Sequence, residues 1–102
     1  MYRYQLLNLQ TIMEGFKETE IKPYNNQKSF YGKAKQIETK IGLFLQSYET
    51  IVCYIDKKTN TFHRLWSGYS ATTQKHIDSF RRLNGFDGMG KRKWEETTVE
   101  TI

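Results

Sequence analysis

A single cysteine, Cys53, occurs in the 102-residue chain, so no internal disulfide framework can form. It lies in the apolar run Ile51-Val52-Cys53-Tyr54-Ile55, where burial keeps a thiol protonated and inert. No apolar stretch extends much beyond that one, well short of the ~20 residues needed to cross a bilayer. Asn8, Gln10 and Glu14 interrupt any apolar segment near the N-terminus, which therefore does not read as a secretory signal. A cytoplasmic protein without membrane contact is expected. Histidine is scarce as well. His63 and His76, with the lone cysteine, fall at no ligand spacing, whereas a structural zinc site needs four ligands, usually in close pairs. Neither a metal nor a cofactor is expected. Acidic residues are in the minority, eleven against sixteen Lys and Arg, for a net charge of +5. That sign argues against a protein that imitates DNA.

What remains is apolar enough for one small core. Hydrophobic residues make up 37% of the chain and aromatic residues 15%, which argues against disorder and for a single domain. From Tyr4 to Lys17, the residues Leu6, Leu9, Met13 and Phe16 recur at spacings of three and four, the signature of an amphipathic helix. The alternation Tyr2-Tyr4-Leu6 offers a short strand as the alternative. Residues 18–32 read as a connection, because Pro23 disfavours helix at Lys22 and Tyr24-Asn25-Asn26-Gln27-Lys28-Ser29 is polar turn material.

A period of two follows. Ile37, Thr39, Ile41, Leu43 and Leu45 alternate with their neighbours, and Gly42 marks either a bulge or a turn in this run. Tyr48 to Asp56 is a strand with Ile51, Cys53 and Ile55 on one face and Thr50, Val52 and Tyr54 on the other. Asp56-Lys57-Lys58-Thr59-Asn60 makes a hairpin loop. Thr61 to Trp66 returns with Phe62, Arg64 and Trp66 on one face, His63 and Leu65 on the other.

After Gly68 the period becomes helical. Ser70, Thr72 and Thr73 supply hydroxyls for an N-cap. Thr73, Ile77, Phe80 and Asn84 share a face, and Asn84-Gly85 ends the helix. Lys91 to Glu96 adds one further turn, with Trp94 dropping back onto the core. The expected fold is α+β: an N-terminal helix, a three-stranded antiparallel sheet, and a C-terminal helix packed on one sheet face. Within one domain, residues 1–28 form the helix and connection, 29–94 the core, and 95–102 a loose tail.

Basic charge gathers in the later part of the chain. Residues 33–68 carry six basic and three acidic side chains, and residues 69–93 carry six and two. The candidate contacts for a partner or for nucleic acid are Lys33, Lys35, Arg64, Tyr69, Lys75, Arg81, Arg82, Lys91, Arg92 and Lys93. Lys and Arg near aromatic rings suit a phosphate backbone, because each neutralised phosphate releases counterions. Trp66, Gly68, Ser70, Thr72, Thr73 and His76 form a structural corner between strand and helix. His76 beside Thr72, Thr73 and Tyr69 would also suit a base near a hydroxyl, but no third group is evident to orient it. The glycines of Gly85-x-x-Gly88-x-Gly90 follow a helix and lack a closing Gly-Lys-Ser/Thr, so they are not a phosphate loop.

The segments Ser29-Phe30-Tyr31-Gly32-Lys33-Ala34, Ser47-Tyr48-x-Thr50-Ile51-Val52 and Trp66-x-Gly68-Tyr69-Ser70-x-Thr72-Thr73-x-x-His76-Ile77-x-x-Phe80 resemble a functionally uncharacterised family of small proteins. These are carried by phages, plasmids and conjugative elements of low-GC Gram-positive bacteria. The resemblance covers roughly residues 29–94 and implies no catalytic residue. It implies a non-catalytic accessory protein that binds and inhibits a host defence nucleoprotein complex, in the manner of an anti-CRISPR protein. The alternative is a small basic module acting directly on DNA or RNA.

Overall fold

The computed structural model describes residues 17–23 and 29–101. Among them, five strands and two helices form an α+β domain: β1 (Glu18–Glu20), β2 (Ala34–Glu38), β3 (Gly42–Ser47), β4 (Thr50–Asp56), β5 (Thr61–Arg64), α1 (Ala71–Leu83) and α2 (Gly90–Glu96). The strands form one antiparallel sheet in the order β1-β2-β3-β4-β5. Both helices come from the C-terminal half.

This corrects the expected three-stranded sheet, and each additional strand has its own cause. Residues 36–45 alternate without a break, yet they are two strands. The Thr39 side chain divides them. Its hydroxyl accepts from Ile41 N and Gly42 N, each at 3.2 Å, and donates to the Gly42 carbonyl at 3.0 Å. Gly42 therefore marks a turn. A Cβ there would run into the Ile55 carbonyl oxygen, so the close approach of β3 to β4 requires glycine. The other strand, β1, falls where a connection was expected. Glu18, Thr19 and Glu20 are all exposed and pair with Ile37, Gln36 and Lys35, so this edge strand is held by backbone bonding and leaves no apolar pattern to read.

Most of the expected N-terminal helix lies outside the described residues. Its last residue, Lys17, is described and extends the β1 pairing, its carbonyl accepting from Glu38 N at 2.8 Å. Buried Ile21 anchors the far end of β1, donating from its backbone to Ala34 O.

The two faces of the sheet divide the core. On one face Ala34, Leu45, Val52, Cys53 and Ile55 pack with Ile77, Phe80 and Trp94 of the helices. The other face carries buried Ile37, Phe44 and Leu65, flanked by Ile41, Ile51 and Tyr54. Strict alternation along β4 puts Ile51 beside Cys53, but a register shift intervenes: Leu45 pairs with Cys53 while Gln46 pairs with Ile51. Val52 is the extra residue of a bulge. It turns into the helix-side core, and Ile51 moves to the opposite face.

Ser70 caps α1, its hydroxyl accepting from Thr73 N at 3.0 Å. The chain leaves α1 through Asn84 and Gly85. Asp78 then reaches from the middle of α1 to the start of α2, its Oδ1 accepting from Met89 N at 2.9 Å and Gly90 N at 3.3 Å. This cap, supplied by a different helix, satisfies amide donors that α2 itself leaves open. The segment after α2, expected to be loose, instead runs beside β5. Val99 bridges Arg64 in parallel, Glu100 N donates to Arg64 O at 2.7 Å, and His63 Nδ1 lies 2.8 Å from Glu100 Oε2.

Candidate binding face

The antiparallel order brings several loops to one end of the sheet. β2 begins there, β3 ends, β4 begins and β5 ends. The turn of residues 30–33, the Tyr48-Glu49 turn, the residues 65–70 corner and the N-terminus of α1 consequently meet. Tyr48 N donates to Lys33 O at 2.7 Å, and Trp66 N to Val52 O at 3.1 Å. The three segments that carry the sequence resemblance all contribute.

A hydroxyl–imidazole network ties this end together. Ser47 Oγ lies 2.9 Å from Thr73 Oγ1 and 2.8 Å from His76 Nδ1, all three residues buried. The Phe30 ring meets the imidazole edge-on at 4.5 Å, and Tyr48 lies across it at 5.7 Å. Burial holds the His76 pKa below its ordinary value, so the ring is neutral at pH 7. Its Nε2 has no hydrogen-bond partner among the described residues. The network joins β3 to α1 and supports the Tyr48 turn. His76 is enclosed by aromatic rings, and its Nδ1 is engaged by Ser47.

The corner is organised by a buried cation. Arg64, expected from the sequence as a partner contact, is only 5% exposed. Its guanidinium donates to the carbonyls of Trp66 (2.8 Å), Trp94 (2.7 Å), Thr97 (3.1 Å) and Ser67 (2.9 Å), and lies 4.4 Å from the centre of the Trp94 ring. Burial draws its pKa down, opposed by the charge of Glu95. The planar fork gathers carbonyls left open at the corner and at the end of α2, which a lysine cannot reproduce. Fully buried Trp94 sits beneath, its Nε1 donating to Gly68 O at 2.9 Å. Trp66 is half-buried and lies flat on Gly68, where any Cβ would collide with the indole.

Arg81 is likewise a structural residue. Its Nε donates to Asp87 O at 2.7 Å, and its guanidinium stands over Phe62 at 4.5 Å and Phe86 at 5.1 Å. Lys35 is half-buried and paired with Glu18 at 3.5 Å. Arg82 is exposed and lies against Gly88. Arg92 faces Glu96 at 3.4 Å across one helical turn. Lys33, Lys75, Lys91 and Lys93 are exposed, and Lys91 Nζ stands 5.2 Å from the centre of the Tyr69 ring. Thr72 is exposed at the start of α1.

Sequence reasoning did not select Tyr31, Tyr48 or Ser47 as site residues. Tyr31 is 73% exposed, Tyr48 48% and Tyr69 38%. All three stand at this end of the sheet. Tyr31 and Tyr48 also hold φ of +55° and +56°, backbone conformations that bulky residues rarely adopt. The signal available was positional: each tyrosine falls in a turn between elements, where a core aromatic is not needed.

Among the described residues, no group of three or more His, Cys, Asp or Glu side chains comes together to hold a metal ion, and no helix is long and apolar enough to cross a membrane. Cys53 is fully buried, and desolvation raises its thiol pKa well above the ordinary value.

These features define a small α+β domain in which two helices cover one face of an antiparallel sheet. The chain belongs to a family of unknown function (DUF8033), whose model matches residues 19–96, from β1 to the end of α2. Neither a curated protein nor a solved structure matches it.

Proposed function

We propose that the protein is a non-catalytic binding domain that takes nucleic acid, free or within a host nucleoprotein complex, on the strand-end face. The observation that carries this reading is the company of exposed tyrosines and lysines there: Tyr31 and Lys33 share one turn, Tyr48 is exposed in the next, and Tyr69 lies under Lys91. Ammonium groups draw phosphates, while the rings add contact area of low conformational entropy. The first turn of α1 carries no acidic residue to oppose them. A non-catalytic role is supported by His76, whose imidazole is enclosed and bonded to Ser47.

The narrower reading belongs to the same proposal and rests on the sequence resemblance. In it the protein is a cytoplasmic product of a phage or plasmid that inhibits a defence nuclease of its bacterial host. Fluorescence anisotropy with short DNA and RNA, at about 50 and 200 mM salt, tests the shared step. Several phosphate contacts predict a loss of affinity of an order of magnitude or more over that range. Lys33→Glu, Lys75→Glu and Lys91→Glu should each weaken binding and flatten the salt slope. The absence of binding at either salt concentration overturns the nucleic-acid reading and redirects the search to a protein surface.

A further inference from the structure

We propose that the strand-end face is a stacking platform for unpaired bases, so that the nucleic acid it takes is single-stranded. The inference rests on the reading above and narrows it to one class of ligand.

The exposed rings carry it first. Among the described residues, the large hydrophobic side chains left exposed are Tyr31, Tyr48, Tyr69, Leu83 and Val99. The three aromatic ones all project from loops at one end of the sheet. Base faces are open in a single strand and hidden in a duplex, so only the former can use these rings. A duplex would engage the lysines and leave the tyrosines idle.

Backbone conformation is the second observation. Tyr31 and Tyr48 occupy left-handed φ values, where glycine or asparagine fits with less strain. Exposure rules out core packing as the compensation at Tyr31. Strained residues of this kind collect at ligand-binding positions, held there by well-packed surroundings. Here the surroundings are explicit. Ser47, Thr73 and His76 fix the strand end that leads into Tyr48, and the Tyr48 amide is bonded to Lys33 O, which ties the Tyr31 turn to the same frame.

The spacing of charge is the third. Lys33 shares the turn of Tyr31, and Lys91 already stands over Tyr69 at 5.2 Å. A ring beside a cation offers a surface for a base next to a site for its phosphate. Glu49, exposed beside Tyr48 in the same turn, is an acid that opposes these cations.

The test compares four labelled probes by anisotropy: a deoxythymidine 12-mer, the uridine 12-mer, a blunt duplex of equal length, and an abasic 12-mer that keeps the phosphates. Single strands with bases should bind roughly tenfold or more tighter than the duplex and the abasic strand. Tyr31→Ala should remove about fivefold or more of the affinity for single strands and leave duplex binding unchanged, and Glu49→Gln should tighten all four. Tyr31→Gly relieves the backbone and deletes the ring, so a folded variant that has lost the single-strand preference supports the proposal independently of stability. Equal binding of all four probes with a steep salt dependence overturns the stacking platform and leaves the nucleic-acid reading standing. Binding of none overturns both.

Discussion

Arg64 and His76 illustrate what a buried polar side chain does in a domain this small. Arg64 is a buried cation stabilised by carbonyl oxygens and the face of Trp94. Its removal leaves the buried Trp94 carbonyl and three part-buried ones without this donor, so Arg64→Met is expected to cost about 2–4 kcal/mol in denaturant unfolding. Arg64→Lys should recover only part of that, because one ammonium cannot span the same carbonyls. Trp94→Ala is expected to cost ~3–5 kcal/mol, and Trp66→Ala less, since Trp66 is only half-buried. His76 makes the stability pH-dependent. An unfolded histidine titrates near 6.5, and burial lowers the folded value, so between the two the unfolded chain binds more protons. Stability is therefore complete above about pH 6.5 and falls as the pH is lowered through the folded value. In Tm measurements from about pH 7 to 5, His76→Gln should flatten the part of this decline that belongs to His76 and preserve a bond to Ser47. An unaltered slope in the variant would assign the acid sensitivity elsewhere.

At the scale of elements, side chains in turns decide the fold more than propensity does. Thr39→Val removes the acceptor for two backbone amides and should cost about 1–2 kcal/mol, read from the denaturation midpoint, with loosening centred on the β2–β3 turn. Glu100→Pro deletes the amide that bonds Arg64 O. It is expected to free the tail while costing roughly 1 kcal/mol overall, which amide exchange at Val99 and Thr101 would report. The helices were legible in the sequence because their burial repeats every three or four residues: Thr73, Ile77 and Phe80 face the core as their spacing predicts. The Phe62-Arg64 face of β5 was legible by alternation. The division between β2 and β3 was not, since the hydrophobic period runs through the turn unchanged and only the Thr39 hydroxyl ends it. The Val52 bulge swaps the faces of Ile51 and Val52 without any mark in the residue types. β1 escaped because all three of its residues are exposed. In the candidate site, charge counting gave Arg64 and Arg81 the same weight as Lys33 and Lys91. Composition cannot tell a guanidinium that gathers carbonyls or sits between phenyl rings from an ammonium in water.

Taken as a whole molecule, the domain concentrates its burial at the centre of the sheet and its exposed tyrosines at one end. Phe44 and Leu45 of β3 and Val52, Cys53 and Ile55 of β4 are buried, whereas β1 is exposed along its length. Native-state amide exchange should accordingly be slowest in β3, β4 and the middle of α1, and fastest in β1. Slow exchange in β1 would show that this edge is covered in solution. Exposed lysines stand at both ends of the sheet, Lys33 near the strand-end face and Lys40, Lys57 and Lys58 in the turns opposite.

The strand order has a consequence for synthesis. Every strand pairs with the next one in the chain, so the sheet can close hairpin by hairpin as it leaves the ribosome, without waiting for a distant partner. The helices that cover it are translated after the strands. At ordinary elongation rates α1 and α2 follow β5 by roughly a few seconds, and for that interval Leu45, Val52 and Ile55 face the solvent. The nascent sheet is then most exposed to aggregation and most attractive to a chaperone, and the arrival of Trp94 ends that window.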